Sequence, residues 1–191
     1  MDYIEMMKKN EPYVSHFREA PGNLKDNARK LLKEFNSLGD EEREAKSEVL
    51  KKLFGTYHPL VFPGEGFRCE NGFNIHFRGL AVINYNVVML DTSPIHIGAG
   101  AFIAPGVCLA CSGHSLVAEE RIRGIGTSAP ITLEDNVWIG ANATVCGGVT
   151  IGEGSVIGAG SVVIRDIPAG VVAAGNPCRV IRKITDADRL E

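Results

Sequence analysis

The chain has one tryptophan, 7% aromatic residues and five cysteines among its 191 residues, and no apolar run approaches the length of a bilayer span. A helical membrane protein is therefore not expected. Five cysteines (Cys69, Cys108, Cys111, Cys146, Cys178) cannot all pair, so free thiols fit better than a disulfide framework. The opening MDYIEMMKKN has no apolar stretch of the kind that export signals carry, and a cytoplasmic location is expected. A formal net charge of −3 with interspersed signs gives nucleic acid nothing to bind. Two catalytic signatures are also missing. No G-x-S-x-G elbow is present, and no glycine-rich segment has the strand-then-helix context of a phosphate loop. Cys108 and Cys111 form a C-x-x-C with His114 three residues on, but no second pair follows at zinc spacing. Structural thiols, and no metal site, are expected.

What the chain does have is a count of six. Ile97, Ile103 and Leu109, then Leu133, Ile139, Val145, Ile151, Ile157 and Val163, are separated by multiples of six residues. A hexapeptide repeat opened by an aliphatic residue predicts a parallel β-helix in which three short strands and three turns close one coil. Every sixth side chain then points inward and stacks on its counterpart one coil later. The slim residues four positions on (Ala101, Val107, Val137, Ala143, Val149, Ser155, Ser161) suit a corner with little volume. Gly98, Gly100, Gly106, Gly140, Gly147, Gly148, Gly152, Gly154, Gly158 and Gly160 keep the same phase, so they mark turns rather than disorder. Phe77, Ile83 and Met89 extend the register upstream, with a two-residue insertion near Ser93-Pro94. Between Leu109 and Leu133 the in-phase positions are Ser115, Arg121 and Thr127, none of them core-forming, so residues 113–129 are expected to leave the coil as a loop.

The N-terminal part has a different period. Asn23 to Leu38 carries Leu24, Ala28, Leu31, Leu32 and Phe35 at helical spacing, with Gly39 as an expected C-cap. Asp40 to Phe54 reads as a second helix with Val49, Leu50, Leu53 and Phe54 on one face. These helices are expected to cover the first coil, whose free strand edge is an association hazard. The expected organisation is an N-terminal helical segment at 1–58, a coil at 59–184 and a tail at 185–191.

His76, His96 and His114 each precede an in-phase position and fall one coil apart once the insertion is removed. This register predicts a column of three imidazoles on the outer face. The column raises a metal-binding reading; the alternative is that only His114, at the mouth of the expelled loop, is reactive.

Several segments outside the repeat carry a family resemblance. KLLKEFN, FRCENGFNIHF, INYN, IAPGV before SGH, PITLEDNVWIGANATV, GGVTIGEGSVIGAGSVV and IPAGVVAAGNPCRVIRKI occur in order between Tyr13 and Ile184. The chain resembles the sugar O-acetyltransferases, among them the maltose, galactoside and nodulation enzymes. The resemblance implies a mainly β fold built on a left-handed parallel β-helix, a homotrimer with active sites between subunits, acetyl-CoA as donor and a sugar hydroxyl as acceptor. Handedness comes from the resemblance alone, because the general rule for parallel crossovers favours the right hand.

By position, His114 matches the family's catalytic histidine and Asn84 the residue that supports the transition state. An imidazole near neutrality suits removal of a hydroxyl proton during attack on a thioester. Acceptor contacts are expected from Asp91, Glu70, His16 and Thr92. Thr92 and His16 depart from the acids common in the family, which leaves the identity of the sugar open. Donor contacts are expected from Trp138, Ala141, Ala159, Ile164, Arg165, Arg179 and Arg182, with the Ala141 N–H facing the thioester oxygen. Trp138 fits a subunit interface equally well. No metal is required. Two other classes use the same coil: a metal-dependent hydratase of the γ-carbonic anhydrase type, favoured by the histidine column, and a non-catalytic trimeric scaffold. A cysteine-based route through Cys111 is a further alternative.

Overall fold

A computed structural model describes residues 2–191, so only Met1 of the expected 1–58 segment lies outside the described residues. Helix α1 (Tyr3–Met7) and the strand Tyr13–His16 precede two longer helices, α2 (Asp26–Phe35) and α3 (Arg43–Leu53). Beyond Thr56 the chain winds through three ladders of parallel strands. The first face holds Ile75–Phe77, Ile95–Ile97, Ile131–Leu133 and Thr150–Ile151. The second runs through Val61–Pro63, Ala81–Ile83, Ala101–Ile103, Trp138–Ile139, Val156–Ile157 and Val171–Ala174. The third holds Arg68–Cys69, Val88–Leu90, Cys108–Ala110, Thr144–Cys146 and Val162–Val163.

The count of six is the cause of this winding. Pairing stacks Phe77, Ile97, Leu133 and Ile151 on one face, Ile83, Ile103, Ile139 and Ile157 on the next, and Met89, Leu109, Val145 and Val163 on the third. All twelve are buried. Strands of two or three residues cannot stand alone, and each buried aliphatic contributes about 1.5–3 kcal/mol, so stacking between coils is what holds them. The corners are tight. A Cβ on Gly140 would lie 2.6 Å from the Ala159 nitrogen one coil on, which leaves room only for glycine.

Phe77 pairs with Ile97 and Ile97 with Leu133, so the Ser93-Pro94 insertion and the expelled loop are both absorbed at turns. The expelled segment is ordered. Ser112–His114 and Ile125–Ser128 run antiparallel, are joined by the short helix α4 (Ala118–Arg123), and meet Tyr13–His16 in a three-stranded sheet. At the far end Arg179–Lys183 folds back antiparallel on Val171–Ala174 rather than adding a parallel rung.

Helices α2 and α3 bury Leu31, Leu32, Phe35, Val49, Leu50 and Leu53 against Val61, Phe67 and Phe77 of the first coil. Gly39 is not the cap of α2. The helix stops at Phe35 because Asn36 donates from Nδ2 to Leu32 O (2.9 Å) and Phe67 O (3.2 Å), while its Oδ1 accepts the Gly66 N–H (3.0 Å). One side chain both ends the helix and ties it to the coil. No helix among the described residues is long and apolar enough to cross a membrane.

Candidate active site

The expected site residues fall on two different corners of the triangular section. Asn84, Ala141 and Ala159 follow second-face strands, at the turn toward the third face; this is the asparagine corner. The Gly160 N–H donates to Ala141 O (2.8 Å), which stacks these turns one coil apart. Ile164 and Arg165 follow a third-face strand, and the sheet bearing His114 leaves the coil between third-face and first-face strands; this is the histidine corner. One protomer therefore does not bring Asn84 and His114 to one corner. Asn84 is oriented for donation: its Oδ1 accepts the Tyr85 N–H (2.9 Å), which turns the Nδ2 hydrogens outward as donors.

The second face, which ends at the asparagine corner, is apolar on its outer side. Phe62, Val82, Phe102 and Trp138 stand in register on adjacent rungs, each 40–55% exposed. A contiguous ladder of this kind marks an interaction surface. Arg179 and Arg182 lie on the strand that edges this face, and Arg182 is held by both oxygens of Asp188 (2.8 and 2.7 Å).

On the three-stranded sheet, His114 is paired with Gly126, and Gly126 with Ser15. Directly opposed residues share a face, so His114 and Ser15 look the same way with no side chain between them, two strand spacings or about 10 Å apart. Tyr3 OH lies 3.4 Å from Ser15 Oγ and brings α1 to this face. His16, expected to contact the acceptor, is paired with Ile125 and points to the opposite face. Ser15, one residue earlier, shares the side of the imidazole.

Asp91, expected to contact the acceptor, is turned inward. Its side chain is fully buried, with Oδ1 accepting the Glu70 (3.0 Å) and Asn71 (2.8 Å) N–H groups and Oδ2 that of Asn74 (3.3 Å). It clamps the turn at 70–74 instead of facing an acceptor, and burial pushes its carboxyl up to about 7 against those hydrogen bonds. Glu70 carries an ion pair with Lys25 at the start of α2. Thr92 Oγ1 turns to Ser128 Oγ at 2.7 Å, and Thr92 O accepts from Tyr13 OH at 2.7 Å.

The histidine column has two members. His76 and His96 stack at 5.3 Å, and the third place on that ladder belongs to Thr132, because the chain leaves the coil at Ser112 before the rung is reached. His114 stands apart on the sheet, and no group of three metal-ligating side chains occurs among the described residues. The hydratase alternative thereby loses the feature that favoured it. Cys111 is buried, and burial pushes its thiol up to about 12, which withholds the thiolate that a nucleophile needs.

The comparisons with known proteins agree with this architecture. A model described as bacterial transferase hexapeptide (six repeats) matches residues 130–165, and the maltose acetyltransferase hexapeptide capping motif matches residues 7–58. The galactoside O-acetyltransferase of Escherichia coli (strain K12) is 42% identical over 159 residues, which cover 83% of this chain and 78% of that protein. The chain belongs to the hexapeptide-repeat sugar O-acetyltransferases.

Among solved structures, a hexapeptide-repeat acetyltransferase of Vibrio cholerae complexed with acetyl coenzyme A is similar to this acetyltransferase with a TM-score of 0.89. It is 35% identical and the match covers 97% of this chain and 100% of that one. A galactoside acetyltransferase in complex with coenzyme A gives 0.85 at 36% identity, covering 98% and 94%. The rows around His114 on this face carry neutral side chains. Along them stand Tyr13, Ser15, Ser112 and Ser128, all hydroxyls, and the Asp91 carboxylate lies buried beneath. Sequence reading missed Tyr13, Ser15, Gly126 and Ser128, since each acquires its place only through pairing across more than a hundred residues or through the expelled segment, and it missed Tyr3, which reaches this face through Ser15.

Proposed function

We propose that this acetyltransferase moves an acetyl group from acetyl-CoA to a sugar hydroxyl, with His114 as general base, in a cleft formed by the histidine corner of one protomer and the asparagine corner of the next. The observation that carries this reading is the division of the site residues between two corners. A cyclic trimer would set them against each other and cover the Phe62–Val82–Phe102–Trp138 ladder.

In this cleft the His114 imidazole takes the acceptor's hydroxyl proton as its oxygen attacks the thioester carbon. The carbonyl oxygen gains charge and is met by a preorganised donor, the Ala141 N–H, while Asn84, two rungs away on the same corner, supports the transition state through its Nδ2 hydrogens. Collapse breaks the carbon–sulfur bond, and the imidazolium returns its proton to the departing thiolate. The small turns at Ala141 and Ala159 leave a groove for the donor's arm, with Trp138 as its wall. Ile164 and Arg165 line its far side, and Arg179 and Arg182 lie toward the nucleotide phosphates. Arg182 must exchange Asp188 for phosphate.

The acceptor enters the slot over Gly126, bounded by His114, Ser15 and Tyr3. Hydroxyls in place of acids suit a neutral or anionic sugar better than an amino sugar. The enzyme functions in the cytoplasm, where acetyl-CoA is available. Thiol release from acetyl-CoA, followed across glucosides, galactosides, uronic acids and amino sugars, tests this directly. Turnover of a neutral or acidic sugar that is lost in His114→Ala is expected. Wild-type turnover by His114→Ala, or a strict preference for amino sugars, would overturn it.

A further inference from the structure

His114 is carried on an arm outside the coil, so something must fix that arm. Ser128 is placed to do this. It is 4% exposed, and its Oγ lies 2.7 Å from Thr92 Oγ1, 2.7 Å from Ser93 Oγ and 3.3 Å from Cys111 O. A hydroxyl has one proton and two lone pairs. The carbonyl of Cys111 can only accept, so Ser128 donates there, and the Thr92 and Ser93 hydroxyls both donate to Ser128. Its capacity is then full and the direction of every bond is set. The Ser128 backbone is at the same time paired with Ser112 on one side and Tyr13 on the other. Tyr13 closes the circuit by donating its phenol to Thr92 O at 2.7 Å.

We infer that Ser128 is a positioning residue for the reaction: its hydroxyl pins the arm to the turn at Thr92–Ser93 and so holds the His114 imidazole in line with the acceptor hydroxyl. His114 lies two residues beyond Ser112, the residue that Ser128 faces, so it sits about 7 Å along the strand from the pin. A small rotation at the pin is thus carried to the imidazole, and a misplacement of about 1 Å can cost a hundredfold in rate. Thr92 matters here for a reason apart from acceptor contact. The Thr92 hydroxyl can donate to Ser128, which valine in its place cannot. The inference rests on the reading of His114 as base.

The test is a double-mutant cycle on the full chain, with kcat, the KM for acetyl-CoA and the pH profile of kcat measured for Ser128→Ala, His114→Ala and the double variant. Ser128→Ala is expected to lower kcat about 10- to 100-fold with an unchanged KM for acetyl-CoA, and to have no effect on the residual rate in the His114→Ala background. Thr92→Val, which removes a donor without removing Ser128, is expected to reproduce most of the loss and keeps the test open if Ser128→Ala fails to fold. Thr92→Ser, which restores the donor, is expected to rescue kcat. Wild-type kcat in both Ser128→Ala and Thr92→Val, or an equal loss in the presence and absence of His114, overturns the inference. An active His114→Ala overturns instead the reading on which it rests.

Discussion

Ser15 and His114 occupy the two outer strands of a three-stranded sheet and face the same way across Gly126. The missing side chain between them is what makes that row a slot. A Cβ on Gly126 would meet Gly113 O at 3.2 Å and His114 Nδ1 at 4.0 Å, so alanine fits with a small adjustment while filling the floor. Gly126→Ala is expected to raise the KM for the sugar several-fold with the KM for acetyl-CoA unchanged. Equal changes in both constants would mean that the slot is not where the acceptor sits.

The turn at Gly140 separates two coils where the donor's arm is placed. A Cβ there would press on the Ala159 nitrogen at 2.6 Å and Ile157 O at 2.7 Å, both backbone atoms that cannot swing aside. Gly140→Ala must therefore spread the coils at Ala141 and Ala159. The expected result is weaker acetyl-CoA binding by calorimetry together with a lower unfolding midpoint; intact binding would place the donor elsewhere.

The central stack sets stability. Ile139 is fully buried between Ile103 and Ile157. Truncation leaves a cavity that rigid neighbouring rungs cannot fill, and Ile139→Ala is expected to cost about 2–5 kcal/mol in urea unfolding. A loss below 1 kcal/mol would show that the coils relax around the gap.

The stacked pair His76 and His96 gives the fold an acid-sensitive element. Burial is the main cause that lowers both imidazoles below their ordinary range, assisted at His76 by the charges of His96 and Lys8 and at His96 by Arg78. Thr56 and Asn10 supply hydrogen-bond partners to the two rings. The unfolded chain binds protons more readily at these sites, so their contribution is present above the ordinary histidine range near 6.5 and is lost as pH falls through the lowered values. Asp91 works in the opposite sense. Its carboxyl is raised to about 7, so its contribution is present at low pH and is lost as pH rises from the ordinary carboxylate range through about 7. Replacing both histidines by glutamine is expected to flatten the fall in Tm between about pH 7 and 5 relative to the unsubstituted protein. An unchanged slope would mean that the pair does not titrate with folding.

Much of this fold is legible in the count of six, because stacking is periodic and the period is local. Ile97 through Val163 announce the coil, and the polar in-phase residues Ser115, Arg121 and Thr127 announce its interruption. The site is legible only in part. Which residue faces His114 depends on pairing between Tyr13–His16 and Ile125–Ser128, segments more than a hundred residues apart with no local signal of register. A one-residue difference in that register exchanges His16 for Ser15. The histidine column fails for a related reason: the spacing of eighteen between His96 and His114 is a coil's worth of residues, but the chain departs from the ladder before His114 and Thr132 takes the place. Asp91 looks available in sequence and is consumed by the turn it clamps.

The division of the site between two corners is tested most directly by mixing two inactive chains. His114→Ala and Asn84→Ala are co-expressed and purified as mixed oligomers, and acetyl transfer is compared with each variant alone. If His114 and Asn84 meet across the subunit boundary, random assembly leaves about a quarter of the sites with both residues intact, and activity returns to about that fraction of the unsubstituted enzyme. A mixture no more active than its components would contradict a shared site.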